Sequence, residues 1–189
     1  MGLSGAGYGC LTILSLLGFV LLGVPQISDF VDEVSEKTET VTVSKSSSNK
    51  TSSPKGTASA KFKKIKIEHN VCKDGVNGMN VITAFSVKNM IGSEGLCAVY
   101  FEYDNGAHLK GRTRKYTTSN GQLAVSTRIT PSYNPSYYTG LTFFVPYDQV
   151  VLSPGTHKLR CYANVFEDQG SSYKQLATSK YAKFSLIQR

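Results

Sequence analysis

Nucleophiles, metal ligands and proton carriers are thinly spread along this chain. The histidines His69, His108 and His157 lie far apart, with no HxH or HExxH spacing, so no local geometry aims two imidazoles at one metal ion. Cys10, Cys72, Cys97 and Cys161 form no CxxC pair. Cys10 falls in an apolar run, and the odd three left elsewhere exclude a dense disulfide framework. No serine stands in GxSxG, the strand–turn–helix elbow that activates a hydrolase nucleophile. Glu102, Asp104 and the pair Glu167-Asp168 could gather at one loop end, as calcium-binding C2 domains require. Calcium takes about 6–8 oxygens, several of them carboxylate, and this set is too small. An enzyme would need a polar pocket converging on His69, Cys72 or Asp148. The expectation is a non-enzymatic protein with no cofactor and no metal.

Contact chemistry is better represented. The net charge of +8 is uneven: four lysines face five acids before residue 61, and seventeen basic residues face eight acids after it. HLKGRTRKY places Lys110, Arg112, Arg114 and Lys115 on a hairpin excursion, and KFKKIK adds Lys61, Lys63, Lys64 and Lys66. Such lysines can simply keep an edge strand from pairing with other chains. They can also face anionic head groups or an acidic partner. Nucleic acid is not expected, because the basic residues lack the regular aromatic interleaving of single-strand binders. The segment PSYNPSYYTG, residues 131–140, adds Tyr133, Tyr137 and Tyr138. It reads as a loop from a strand ending near Thr130 to one starting near Leu141, stopped from pairing by its prolines. Its rings either cover the open end of the fold or form a contact surface of large area at low entropic cost.

These side chains must be positioned by strands. From Lys61 onward, apolar and polar residues alternate with a period of two. Ile65, Ile67, His69 and Val71 share one face of a first strand, and Val81, Phe85 and Val87 point inward from a second. Cys97, Val99, Phe101 and Tyr103 lie on one side of a third, ended by a DNG turn. Leu123, Val125, Thr127 and Ile129 alternate in GQLAVSTRIT, LTFFVPY follows, and Leu159, Cys161, Ala163 and Val165 point inward from HKLRCYANVFE. QLATSKYAKFSLI closes the chain. With no amphipathic helix, the expected fold is all-β: an antiparallel β-sandwich of seven to eight strands, immunoglobulin-like or C2-like. LCAVYFEYD and HKLRCYANVFE should pair, turning Cys97 and Cys161 to the core as buried thiols or, if close enough, as a disulfide.

The succession HNV…GMNVITAFSVKN, AVYFEYDNGAHLK, YTTSNGQLAVS, PSYNPSYYTGLTFFVPYDQV and GTHKLRCYANVFED resembles a β-sandwich module of bacterial, often membrane-attached proteins. Its marks are the NG turn, the P-x-Y-x-P-S-Y loop and the FFVPY strand. The resemblance spans most of 62–187 and implies a fold and a bacterial origin, with no activity attached.

The N-terminal third differs in kind. Cys10 to Ile27 is eighteen residues without a formal charge, close to the roughly 20 a spanning helix needs. A cleaved signal peptide is the rival reading, but it wants a basic leader and a small-x-small cleavage site. Residues 1–10 carry no Lys or Arg. An uncleaved single span over residues 1–30 is therefore expected. Ala6 stands where myristoylation wants Ser or Thr, and Gly5-x-Gly7-x-Gly9 follows no strand, so it is no dinucleotide fingerprint. The positive-inside rule has little to count; the α-amino charge favours an extracytoplasmic C-terminal domain. Residues 31–60, rich in Ser, Thr and Lys, cannot bury enough surface to offset ordering entropy, and read as a flexible tether. Asn49-Lys50-Thr51 is a sequon only in a eukaryotic secretory chain. The whole suggests a membrane-tethered binding or scaffold domain, 61–189, for a protein, glycan or envelope component. The alternative is a structural accessory subunit of a membrane complex, acting through small residues of its span.

Overall fold

Among the described residues, the alternation of apolar residues is realised as ten strands that pair only antiparallel. The computed structural model describes residues 56–189, so the expected span and most of the tether lie outside the described residues. The strands are β1 (Ser59–Lys73), β2 (Val76–Lys88), β3 (Gly95–Tyr103), β4 (Lys110–Gly111), β5 (Ala124–Ile129), β6 (Ser136–Pro146), β7 (Val150–Val151), β8 (Gly155–Asp168), β9 (Tyr173–Thr178) and β10 (Ala182–Gln188). Two single 3-10 turns, Arg114–Tyr116 and Tyr147–Gln149, are added, and among the described residues there is no α-helix. None of them forms a helix long and apolar enough to cross a membrane.

A first sheet has the order β1-β2-β6, and a second has β10-β8-β3-β5 with β9 also on β8. Their inner faces share one core, an arrangement consistent with a β-sandwich. Met79, Val81, Phe85 and Val87 of β2 meet Cys97, Val99 and Phe101 of β3 and Leu159, Cys161, Ala163 and Val165 of β8. Each Val, Leu, Met or Phe among them contributes about 1.5–3 kcal/mol when fully removed from water. Thr83, on the same inner face, is wholly buried. Its hydroxyl donates to the Leu141 carbonyl at 3.3 Å, so it is not stranded. Among the described residues, the core runs from Ala58 to Leu186.

β3 and β8 pair as expected, with Phe101 opposite Cys161 and Cys97 opposite Val165. That register holds Cys97 and Cys161 four residues apart along the ladder, and both are free, buried thiols. Desolvation pushes each up to about 12, offset at Cys97 by Thr83. Thiolate is the reactive form, so both should resist alkylation at pH 8 in the native protein and react only in denaturant. Peptide mass spectrometry after iodoacetamide treatment checks this.

Four local expectations are corrected. The closing segment is two strands: β9 pairs with β8 at Asn164–Asp168, and β10 pairs with β8 at Gly155–Cys161. One segment cannot follow both stretches, so the chain breaks at Ser179, whose hydroxyl accepts from the Ala163 amide at 2.9 Å. β6 starts at Ser136 rather than near Leu141, because Ser136–Tyr138 already pair with Phe85–Val87 of β2. A bulge between Glu68 and Val71, with Asn70 at φ 57°, takes His69 out of the Ile65–Ile67 row. Finally β1 begins at Ser59, two residues before the domain boundary expected at Lys61. Asp74-Gly75, both at positive φ, form the two-residue turn from β1 into β2, the type of turn that matches strand twist.

Candidate functional site

The KFKKIK run lies on β1, an edge strand. Strict alternation would send Lys61 outward, Phe62 inward and Lys63 outward, then turn Lys64 to the core. A bulge between Phe62 and Lys64 inserts Lys63 as an extra residue, and such an insertion resets which face follows. Phe62 thus faces Phe85 across the ladder with ring centroids 5.4 Å apart, while Lys61, Lys63, Lys64 and Lys66 are all exposed. Lys61 stands opposite Ser86, and Ser86 stands opposite Tyr137 of β6. Lys63 reaches across this row, its Nζ 5.1 Å from the Tyr137 ring centroid. Lys88, opposite Ser59, extends the same outer face. Lys66 is held 2.6 Å from Glu68. Among the described residues, the tyrosine predicted from one segment and the lysines predicted from another are therefore brought together.

The three tyrosines divide. Tyr138 points inward and stacks on Phe85, centroids 4.7 Å apart and planes 18° apart; burial raises its phenol, with Cys97 adding to the shift. Tyr133 is 75% and Tyr137 62% exposed. Tyr133 is displayed by a pinned loop rather than a loose one. The Ser136 hydroxyl donates to the Tyr133 carbonyl at 2.9 Å and accepts from its amide at 3.0 Å. Next to it, the Asn134 side chain accepts from the Asn89 amide at 2.8 Å and donates to the Asn89 side chain at 2.9 Å. Asn89 in turn donates to the Thr57 carbonyl at 3.0 Å. The tyrosine loop is thereby tied to the place where the chain enters the domain. The Asn134–Pro135 bond is cis.

The second basic cluster is not part of this site. The excursion leaves β3 through the DNG turn, where the Gly106 amide donates to the Tyr103 carbonyl at 2.9 Å. It then forms β4 against β7. Since β7 follows the far end of β6, Lys110, Arg112, Arg114 and Lys115 are separated from Tyr137 by roughly 30 Å of strand at about 3.3 Å per residue. Arg112 holds the turn after β6, donating from Nε to the Asp148 carbonyl at 2.7 Å. Lys115 lies 5.7 Å from the Tyr116 ring centroid. Arg112 thus braces the far end, where Leu109 and Leu123 complete the core.

The groups that would serve catalysis or metal binding stay apart. His69 accepts or donates at the Tyr147 hydroxyl, 3.2 Å away, and lines a shallow cleft of about 440 Å³ with Tyr147, Leu152, Leu186 and Ile187. Neither Cys72 nor Asp148 lines it. His157 Nε2 lies 2.8 Å from the Ser153 carbonyl. Glu102 is held by Arg160 at 2.9 Å, and Glu167 lies seven residues farther along β8, so the four carboxylates do not share a loop end. No group of three His, Cys, Asp or Glu that could hold a metal ion occurs among the described residues.

Sequence reasoning missed an aromatic row on the outer face of the second sheet. Tyr162 sits between Tyr100 and Tyr181, 5.4 Å from each, and the Arg160 guanidinium lies 4.1 Å over Tyr181. The alternation of HKLRCYANVFE already turned Arg160 and Tyr162 outward; only their partners, Tyr100 of β3 and Tyr181 just before β10, were hidden. Lys88 was missed because it stands alone in sequence. The chain matches no protein-family model, no curated protein and no solved structure.

Proposed function

We propose that this chain is a membrane-tethered, non-enzymatic binding or scaffold protein whose β-sandwich, immunoglobulin-like or C2-like, engages an anionic partner. The partner is an acidic protein, an anionic glycan or another envelope component. One uncleaved N-terminal span and the Ser/Thr/Lys-rich tether hold the domain near the membrane, on its extracytoplasmic side. The observation that carries the reading is the convergence of Lys61, Lys63, Lys64 and Lys88 with exposed Tyr137 on one sheet face. Lysine is a strongly hydrated point charge on a flexible stem, suited to a spread of anionic groups rather than one planar carboxylate.

Retention of fragment 56–189 on an immobilised polyphosphate column tests this, with thermal melts confirming that each variant folds. Exchanging Lys61, Lys63, Lys64 and Lys88 for glutamine should abolish most of the retention. Exchanging Lys110, Arg114 and Lys115 for glutamine should leave most of it, although three charges are lost. Equal losses would reduce the effect to net charge and sink the reading. Retention should also fall steeply as salt rises, since exposed charges are screened beyond about 10 Å at 0.1 M.

A further inference from the structure

The structure points to an anionic phospholipid bilayer as the surface on which the chain-entry end of the domain rests; this deepens the reading above and rests on it. We propose that Lys61, Lys63, Lys64 and Lys88 lie over lipid phosphates while Tyr133 and Tyr137 enter the head-group region.

Three observations select a bilayer among anionic partners. First, exposed Tyr137 stands beside the lysines, within 5.1 Å of Lys63, and exposed Tyr133 lies on the loop that leads directly into the same strand. A ring with an apolar body and a polar tip belongs at the membrane–water boundary, whereas a free polyanion offers it nothing. Second, the face is open and has a low floor. Ser86 and Ala84 lie between the lysine row and β6, and a Cβ at Gly140 would meet no atom within 4 Å. A flat floor under flexible point charges fits a fluid field of head groups better than one shaped ligand. Third, the chain enters here, because Thr57 is pinned to Asn89 beside the tyrosine loop. Twenty-eight residues lie between Ile27 and Gly56, and a flexible tether of that length would have an end-to-end distance of roughly 30 Å. An anchor at residues 10–27 would thus keep this end within reach of the surface. The acids at the same end sit on the second-sheet side, where Arg128 holds Glu94 at 2.6 Å and Asp168 at 3.8 Å. The contact is therefore the first-sheet corner.

The chain has no tryptophan, so single reporters can be installed in the full-length protein. Tyr133→Trp, Tyr137→Trp and Tyr181→Trp are compared in vesicles of phosphatidylcholine and of phosphatidylcholine containing phosphatidylglycerol. Tyr181 is 49% exposed on the opposite sheet and serves as the control. On anionic vesicles, emission from positions 133 and 137 should shift to the blue and resist acrylamide, while position 181 stays unchanged. Each Lys→Gln exchange on the face should weaken the protected fraction about fivefold, equivalent to ~1 kcal/mol per basic residue at such a surface. Reporters at 133 and 137 that stay water-exposed on anionic vesicles overturn the bilayer assignment. If the lysine-dependent polyphosphate retention persists in that case, the anionic reading survives with a soluble polyanion or acidic protein as partner. Equal protection on neutral and anionic vesicles also overturns the proposal, since the lysines would then play no part. Loss of both signals overturns both readings.

Discussion

Phe85→Ala should lower the unfolding free energy by about 3–5 kcal/mol, the range for removing a large aromatic side chain from a core. Phe85 is 1% exposed and is the ring on which both edge strands of the first sheet converge. Phe62 of β1 packs 5.4 Å from it and Tyr138 of β6 stacks at 4.7 Å. Truncation therefore removes more than transferred area. It leaves two half-buried rings without their shared partner, and a gap that backbone on both sides cannot close. Domains of this size have only about 5–15 kcal/mol of stability in total, so the variant should lie near the threshold of folding at 37 °C. The expected readout is a large fall in the urea midpoint with little change in slope. A loss below about 1.5 kcal/mol would mean that the edge strands hold their places without this ring. Tyr138→Phe keeps the stack and should be close to neutral, which separates packing from any role of the hydroxyl.

The second large effect is steric. A Cβ on Gly78 would land inside the carbonyl oxygen of Val145 and 2.7 Å from the Phe144 ring. Gly78 lies on β2, paired with Val71 of β1 on one side and Pro146 of β6 on the other. Neither neighbour can retreat without breaking a ladder, and the obstructing atom is backbone rather than a flexible side-chain tip. Gly78→Ala should cost about 1–3 kcal/mol, the penalty for forcing extra volume into a packed site. Gly140→Ala is the matched comparison. No atom lies within 4 Å of its added Cβ, and its φ is not in the left-handed region, so restricting the unfolded chain should stabilise by up to about 1 kcal/mol. Opposite signs for the two substitutions in thermal melts are the expected result. A neutral Gly78→Ala would show that β6 is not held against β2 at this end.

Alternation made the inner faces of β2 and β8 legible, since a buried side of a strand must carry an apolar residue at every second position. Val81, Phe85 and Val87, and Leu159, Cys161, Ala163 and Val165, could be named from spacing alone. The candidate site was legible only in pieces. Its β1 lysines and its tyrosines were visible as two unrelated segments, and a third segment, Lys110 to Lys115, looked equally suited to the same task. Tyr137 and Tyr138 read as loop because Pro135 and Gly140 bracket them and no alternation runs through the stretch. Their strand character comes from β2, a partner remote in sequence that pairs with them residue by residue.

By itself, then, the sequence determined an all-β antiparallel domain, many of its core residues, an apolar N-terminal run and an unequal distribution of charge. These follow from local periodicity and composition, which need no knowledge of partners. Only the tertiary structure decided which cluster meets the tyrosines, which of the three rings faces water, and that the closing segment divides into two strands. Each of these depends on register between distant strands and on bulges such as the one at Lys63, where a single extra residue reverses the facing of everything beyond it.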